Sequence, residues 1–143
     1  MAKAIPNELK NVIDGTMQDK ASGILRSAGI RNDRNTFNTA AEATTTGDTL
    51  SLGTARAGQR TMAFEIEASS NMSAASIAIG TAADPDKYLA AAALPNATVA
   101  RRKVLAASAG FDAITEEEEL IVTISGATIP DGTLVIERQY TQR

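Results

Sequence analysis

Two groups of carboxylates are the residues of this chain best placed to do chemistry. Glu116-Glu117-Glu118-Glu119 stand in a row, and Asp84 and Asp86 flank Pro85. Paired carboxylates could act as general acid and base, or hold a hard cation that takes six or more oxygen ligands. The glutamates lead into Leu120, Val122 and Ile124, which alternate with Ile121 and Thr123 in the manner of a strand. Successive strand residues point to opposite faces, so this row cannot converge on one ion without a loop. It reads better as a solvated lead-in that keeps the following strand from pairing with strangers. Asp84-Pro85-Asp86 lacks the rest of an Asp-x-Asp-x-Asp-Gly calcium loop. Its commoner reading is a turn in which Asp84 bonds backbone N–H groups, Pro85 fixes φ, and Lys87 pairs with either carboxylate.

Other chemistry is bounded by what the chain lacks. It has no Cys and no His, which excludes disulfides, thiolate or imidazole metal sites, and Ser-His-Asp or Cys-His catalysis. Ser69, Ser70 and Ser73 have no activating base beside them in sequence. Arg101-Arg102-Lys103 is too short to bind nucleic acid alone; it suits an acidic patch on a partner or, more simply, a solvated strand edge. The net charge of −3 and an aromatic content of 3% also argue against a nucleic-acid binder. No catalytic residue, cofactor or metal ligand is assigned.

The elements that would carry these residues fall into two regimes. From Ala4 to Ile30, Leu9, Val12, Ile13 and Met17 recur at helical spacing behind Pro6, followed by Ile24 and Leu25. Gly15 and Gly23 favour two short helices or a bent one. Asn32 to Asn35 reads as a turn, and Thr36 to Gly47 as a polar Thr/Ala linker. From Asp48 the period changes to two. Leu50 and Leu52 mark a strand ended by Gly53, Met62, Phe64 and Ile66 a second, and Ile77 and Ile79 a third. Tyr88 to Ala93 reads as a helical turn or packed loop, Val99 to Ala107 as another strand, and Leu120 to Ile124 and Leu134 to Tyr140 as the last two. Six or seven strands without a βαβ unit predict an antiparallel β-sandwich of jelly-roll type. It would occupy residues 48–143 as one domain, with residues 1–47 as a helical or extended N-terminal arm. Much of the 43% hydrophobic content is Ala, which predicts a thin core that leans on oligomerisation or a partner surface.

No apolar run is long enough to cross a bilayer, and Met1-Ala-Lys-Ala-Ile-Pro lacks the apolar stretch of a signal peptide. A cytoplasm, or an assembly built there, is the expected location. Charge is uneven: residues 1–60 carry eight Lys/Arg against six Asp/Glu, and the rest six against eleven. The two parts are expected to face different surfaces.

Three stretches resemble small virion proteins of tailed bacteriophages. They are Asp48-Thr-Leu-Ser-Leu-Gly53, Ile77-Ala-Ile-Gly-Thr-Ala-Ala-Asp-Pro-Asp-Lys-Tyr88, and Glu116 to Ile124 with Gly132-Thr-Leu-Val-Ile-Glu137. The resemblance is to jelly-roll capsid decoration (cement) proteins. It implies a non-enzymatic protein on the exterior of the phage head, assembled in the host cytoplasm, binding the major capsid protein and itself as a homodimer or homotrimer. It implies no catalytic residue; the charge balance and hydropathy above predict no nucleic-acid and no membrane partner. The expected contact residues are Leu9, Val12, Ile13 and Met17 of the arm, with Arg26, Arg31 and Arg34 as a charged rim. The rival readings are a receptor- or glycan-binding module of a head or tail fibre, and a head–tail joining protein. The few aromatics, Phe37, Phe64, Tyr88, Phe111 and Tyr140, speak mildly against a sugar platform.

Overall fold

Alternation in the sequence becomes eight antiparallel strands in a computed structural model, which describes residues 29–42, 44–96, 101–104 and 112–142. The strands are β1 (Arg31–Asn38), β2 (Thr49–Ala55), β3 (Gln59–Ala68), β4 (Ser76–Gly80), β5 (Leu89–Ala93), β6 (Arg101–Val104), β7 (Glu118–Ser125) and β8 (Thr133–Gln142). They form two four-stranded sheets, in the orders β1-β8-β3-β6 and β2-β7-β4-β5. Each sheet thus interleaves early and late strands, which is the jelly-roll arrangement. The described residues contain no helix. The helices expected before Ile30 lie outside them.

The inward faces carry the residues that the alternation marked. Leu50 and Leu52 of β2, Phe64 and Ile66 of β3, Ile77 and Ile79 of β4 are all buried. Leu120, Val122 and Ile124 of β7 and Leu134 and Ile136 of β8 join them. Loop residues Met72, Tyr88, Leu94 and Ile129 close the core. Each fully buried Leu or Ile contributes roughly 1.5–3 kcal/mol. The alanines mostly do not contribute: Ala90, Ala91 and Ala93 are exposed. The core is therefore built mainly of Leu and Ile, with Ala55 and Ala75 the alanines of its cluster, despite the alanine-rich composition.

Several local expectations are corrected. The turn at Asn32–Asn35 and the start of the linker are strand β1, which pairs with β8 along its whole length, from Arg31↔Tyr140 to Asn38↔Thr133. The rest of the supposed linker is anchored rather than loose. Thr39 is buried, and its hydroxyl donates to the Pro130 carbonyl at 2.7 Å. Ile129 N donates to the Thr44 carbonyl at 3.0 Å. Gly53 does not end β2; it sits at a bulge, with φ 86°, and pairing resumes at Gly53↔Leu120. In β3 the pairing steps from Thr61↔Tyr140 to Ala63↔Gln139, so Met62 is an extra, bulged residue and only half-buried. The bulge changes the phase of the alternation: Gln59 and Thr61 face inward before it, Phe64 and Ile66 after it. The segment from Leu89 is strand β5 rather than a helical turn or packed loop.

Candidate functional site

The residues singled out for chemistry are dispersed by this fold. Asp84 and Asp86 lie exposed on the β4–β5 loop. The loop is closed by the backbone carbonyl of Asp84, not by its carboxylate: Thr81 N and Lys87 N donate to it at 2.9 and 3.2 Å. Gly80 makes this closure possible, because a Cβ there would run into the Asp84 carbonyl and stand 2.7 Å from the Pro85 carbonyl oxygen. Lys87 pairs with Glu118 at 2.5 Å rather than with either aspartate. The buried Tyr88 hydroxyl donates to the same carboxylate. Glu119 turns the other way and accepts from the Ser51 hydroxyl at 2.8 Å. Neighbouring glutamates therefore diverge, as strand geometry requires. Among the described residues no group of three or more acidic side chains is placed to hold a metal ion.

The serines are engaged in holding loops. Ser69 Oγ accepts from Thr133 N at 2.7 Å, and Ser73 Oγ donates to Asn71 Oδ1 at 2.7 Å. Arg101-Arg102-Lys103 lies on β6, an edge strand of its sheet. Leu9, Val12, Ile13, Met17 and Arg26 fall outside the described residues. Arg31 and Arg34 are both on β1 but on opposite faces. Arg34 lies on the outer face beside Glu137 at 3.6 Å and Glu67 at 3.9 Å, surface pairs of little energetic weight. Arg31 turns to the end of the sandwich.

That end holds a group of polar residues of which the sequence reading singled out Arg31 alone, as a charged rim. Arg138 stands on the inward face of β8 in phase with Leu134 and Ile136, and it is only 2% exposed. Its Nη2 donates to Gln59 Oε1 at 2.5 Å and lies 3.1 Å from Asp33 Oδ2, and the guanidinium stacks 4.3 Å from the Tyr140 ring centre. Its Nε and Nη1 are buried without a hydrogen-bond partner among the described residues. Burial pushes its pKa down and the Asp33 carboxylate pushes it back up; an arginine so placed stays cationic. In front of it lies a cleft of ≈ 290 Å³ whose walls include Arg31, Asp33, Arg56, Gln59, Tyr140 and Gln142. One signal for this cluster was in the sequence. Parity from Leu134 and Ile136 puts Arg138 on the apolar face, and a charge there calls for partners.

No protein-family model matches the sequence, and no curated protein is similar to it. Solved structures do share its fold. A chain from the capsid asymmetric unit of cyanophage Pam1 superposes with a TM-score of 0.58 at 13% identity, covering 82% of this chain and 86% of that one. A chain from the capsid of Ralstonia phage GP4 gives 0.57 at 14% identity, covering 100% of this chain and 92% of that one. A chain from the acid-stable capsid of Helicobacter pylori bacteriophage KHP30 gives 0.53 at 15%, covering 78% and 86%. The protein is thus a jelly roll of a kind found in phage capsids. At these identities the likeness is one of fold.

Proposed function

We propose that this chain is a non-enzymatic structural protein of a phage head, and within that class a decoration or cement protein bound to the outer surface of the shell. The observation that carries this reading is the jelly roll shared, over 78% to 100% of this chain, with chains from three phage capsids. The described site chemistry agrees with it. Ser69, Ser73, Glu118 and Glu119 are taken up in holding loops and strands. The work of such a protein is surface burial. A subunit that binds only the assembled shell stabilises it by mass action, and a durable contact buries on the order of 1,000 Å² or more. Gripping two capsid subunits at once raises the effective concentration of each grip.

The contact residues in this reading are Leu9, Val12, Ile13 and Met17, an apolar stripe, with Arg26, Arg31 and Arg34 as basic neighbours. The major capsid protein is the partner, and a homodimer or homotrimer is the unit that binds. Imaging of intact particles tests the reading by position and copy number. Hundreds of copies on the head exterior are expected. A few copies at one vertex or on the tail would replace it with an adhesion or joining role, and absence from particles would end it. Deleting residues 1–28 leaves all eight strands in the chain and is expected to abolish head binding. Full affinity without that segment would remove the stripe from the contact.

A further inference from the structure

We propose that the cleft at the Arg31/Gln142 end of the sandwich is a binding site for a carboxylate, carried either by a small polycarboxylic acid or by an acidic side chain of another polypeptide. Among the described residues three guanidinium groups gather there, Arg31 and Arg56 in the walls and Arg138 behind them, against one carboxylate, that of Asp33. This is a local excess of positive charge in a chain whose net charge is −3. Among the described residues neither Arg31 nor Arg56 has an ion-pair partner. Asp33 is itself 46% exposed, so water screens much of what it offers Arg138.

Arg138 supplies the second, independent sign. A buried donor left unmade is costly, and two nitrogens of one cation, Nε and Nη1, have no hydrogen-bond partner among the described residues. Its own partners, Asp33, Gln59 and Tyr140, are walls of the cleft, so a ligand in the cleft lies one side chain away from the guanidinium. Guanidinium forks match the two oxygens of a carboxylate, and such charge-assisted bonds are roughly twice as strong as neutral ones. The volume of ≈ 290 Å³ is at the lower edge of what ligand pockets offer and suits a group of citrate or glutamate size. Thr54 and Asp33 bring β2 and β1 to the cleft, and each is an edge strand of its sheet. An extended peptide is thereby able to deliver an acidic side chain from either edge. The site stands whether or not the chain belongs to a phage head.

The test uses the full-length protein at constant ionic strength, with sodium citrate and a blocked tri-glutamate peptide as probes and sodium chloride as control. Binding is read by thermal shift and by the 15N NMR signal of the Arg138 side-chain Nε–H. Saturable binding of at least one probe, with movement of that signal, is expected; tighter binding of citrate points to a free acid, and tighter binding of the peptide to a side chain. Because Arg138 is buried, affinity is probed through the rim. The R31Q/R56Q double variant should bind about tenfold more weakly, and Asp33→Asn, which removes the competing carboxylate, about threefold more tightly. A purely structural arginine cluster would not move affinity in these opposite directions. No saturable binding of either probe up to about 10 mM, or equal affinity in all three proteins, would overturn the proposal.

Discussion

Replacing Gly80 by alanine separates two ways in which a glycine can be required. The β4–β5 loop folds back so tightly that a Cβ on Gly80 would meet three backbone atoms at once, the Asp84 carbonyl oxygen and both carbonyl atoms of Pro85, the latter at 2.5 and 2.7 Å. None belongs to a side chain that could swing away. Relief requires moving Asp84, whose carbonyl accepts from Thr81 N and Lys87 N. Those two bonds are worth about 1 kcal/mol each, and the residual overpacking about 1–3 kcal/mol. The expected cost of Gly80→Ala is therefore about 3–5 kcal/mol, a large share of the roughly 5–15 kcal/mol that holds a domain folded. Gly53→Ala is the control. Gly53 has φ 86° but open space around its missing Cβ, so only the left-handed backbone is penalised, at about 1–2 kcal/mol. Urea unfolding of both variants beside the parent protein, with slopes compared to verify a common transition, measures the difference. If Gly80→Ala costs no more than Gly53→Ala, the close approach in this loop is not what holds it.

Four further outcomes follow from the side-chain contacts. Tyr88→Phe removes a buried hydroxyl from the Glu118 carboxylate and should cost about 1–2 kcal/mol in urea unfolding, since bonds to charged groups exceed the neutral average. Asp48 is held below the ordinary carboxylate value of 3.8 by bonds from the Thr45 hydroxyl and then the Thr45 amide; its stabilisation is present above that value and lost as pH falls through the lower folded value, so the melting-temperature gap between parent and Asp48→Ala should be full at neutral pH and close in acid. Arg138→Met replaces a buried cation by an apolar chain of similar length and should change stability by less than about 1 kcal/mol, because Asp33 is free to hydrate and Gln59 Oε1 still accepts from Arg56 N at 3.2 Å. Gln59→Leu, which leaves the buried guanidinium with fewer partners, should cost about 2 kcal/mol.

The strands that could be read from sequence are those whose inward residues are large and aliphatic. Ile77 and Ile79, the Leu120–Ile124 alternation, and Leu134 with Ile136 each state their own face, and the three strands so marked pack into the core. Strand β1, Arg31-Asn-Asp-Arg-Asn-Thr-Phe-Asn38, states nothing of the kind. Its only large apolar residue is Phe37, and Asn and Asp are turn formers taken alone. It is a strand because β8 pairs with it residue by residue over 31–38, a long-range contact that no local window contains. The bulge at Met62 hid a second fact for the same reason: a strict count of two from Phe64 predicts Met62 inside, whereas the ladder skips it and turns Thr61 and Gln59 inward.

These failures are connected. The inward positions that break the apolar pattern are Arg31 and Asp33 of β1, Gln59 and Thr61 of β3, and Arg138 of β8. Read strand by strand, each is a reason to doubt the strand or to move its face outward. The register aligns them. Arg31 and Thr61 both stand opposite Tyr140, Asp33 opposite Arg138, and Gln59 opposite Gln142. Three separate lapses of the pattern thus become one polar layer closing one end of an otherwise aliphatic sandwich. Random surface polarity falling on inward positions would scatter along the strands; a layer gathered at one end around a nearly inaccessible arginine is organised by its own bonds. The same alignment that defeated the local reading is what gives this end of the molecule a place to hold an anion.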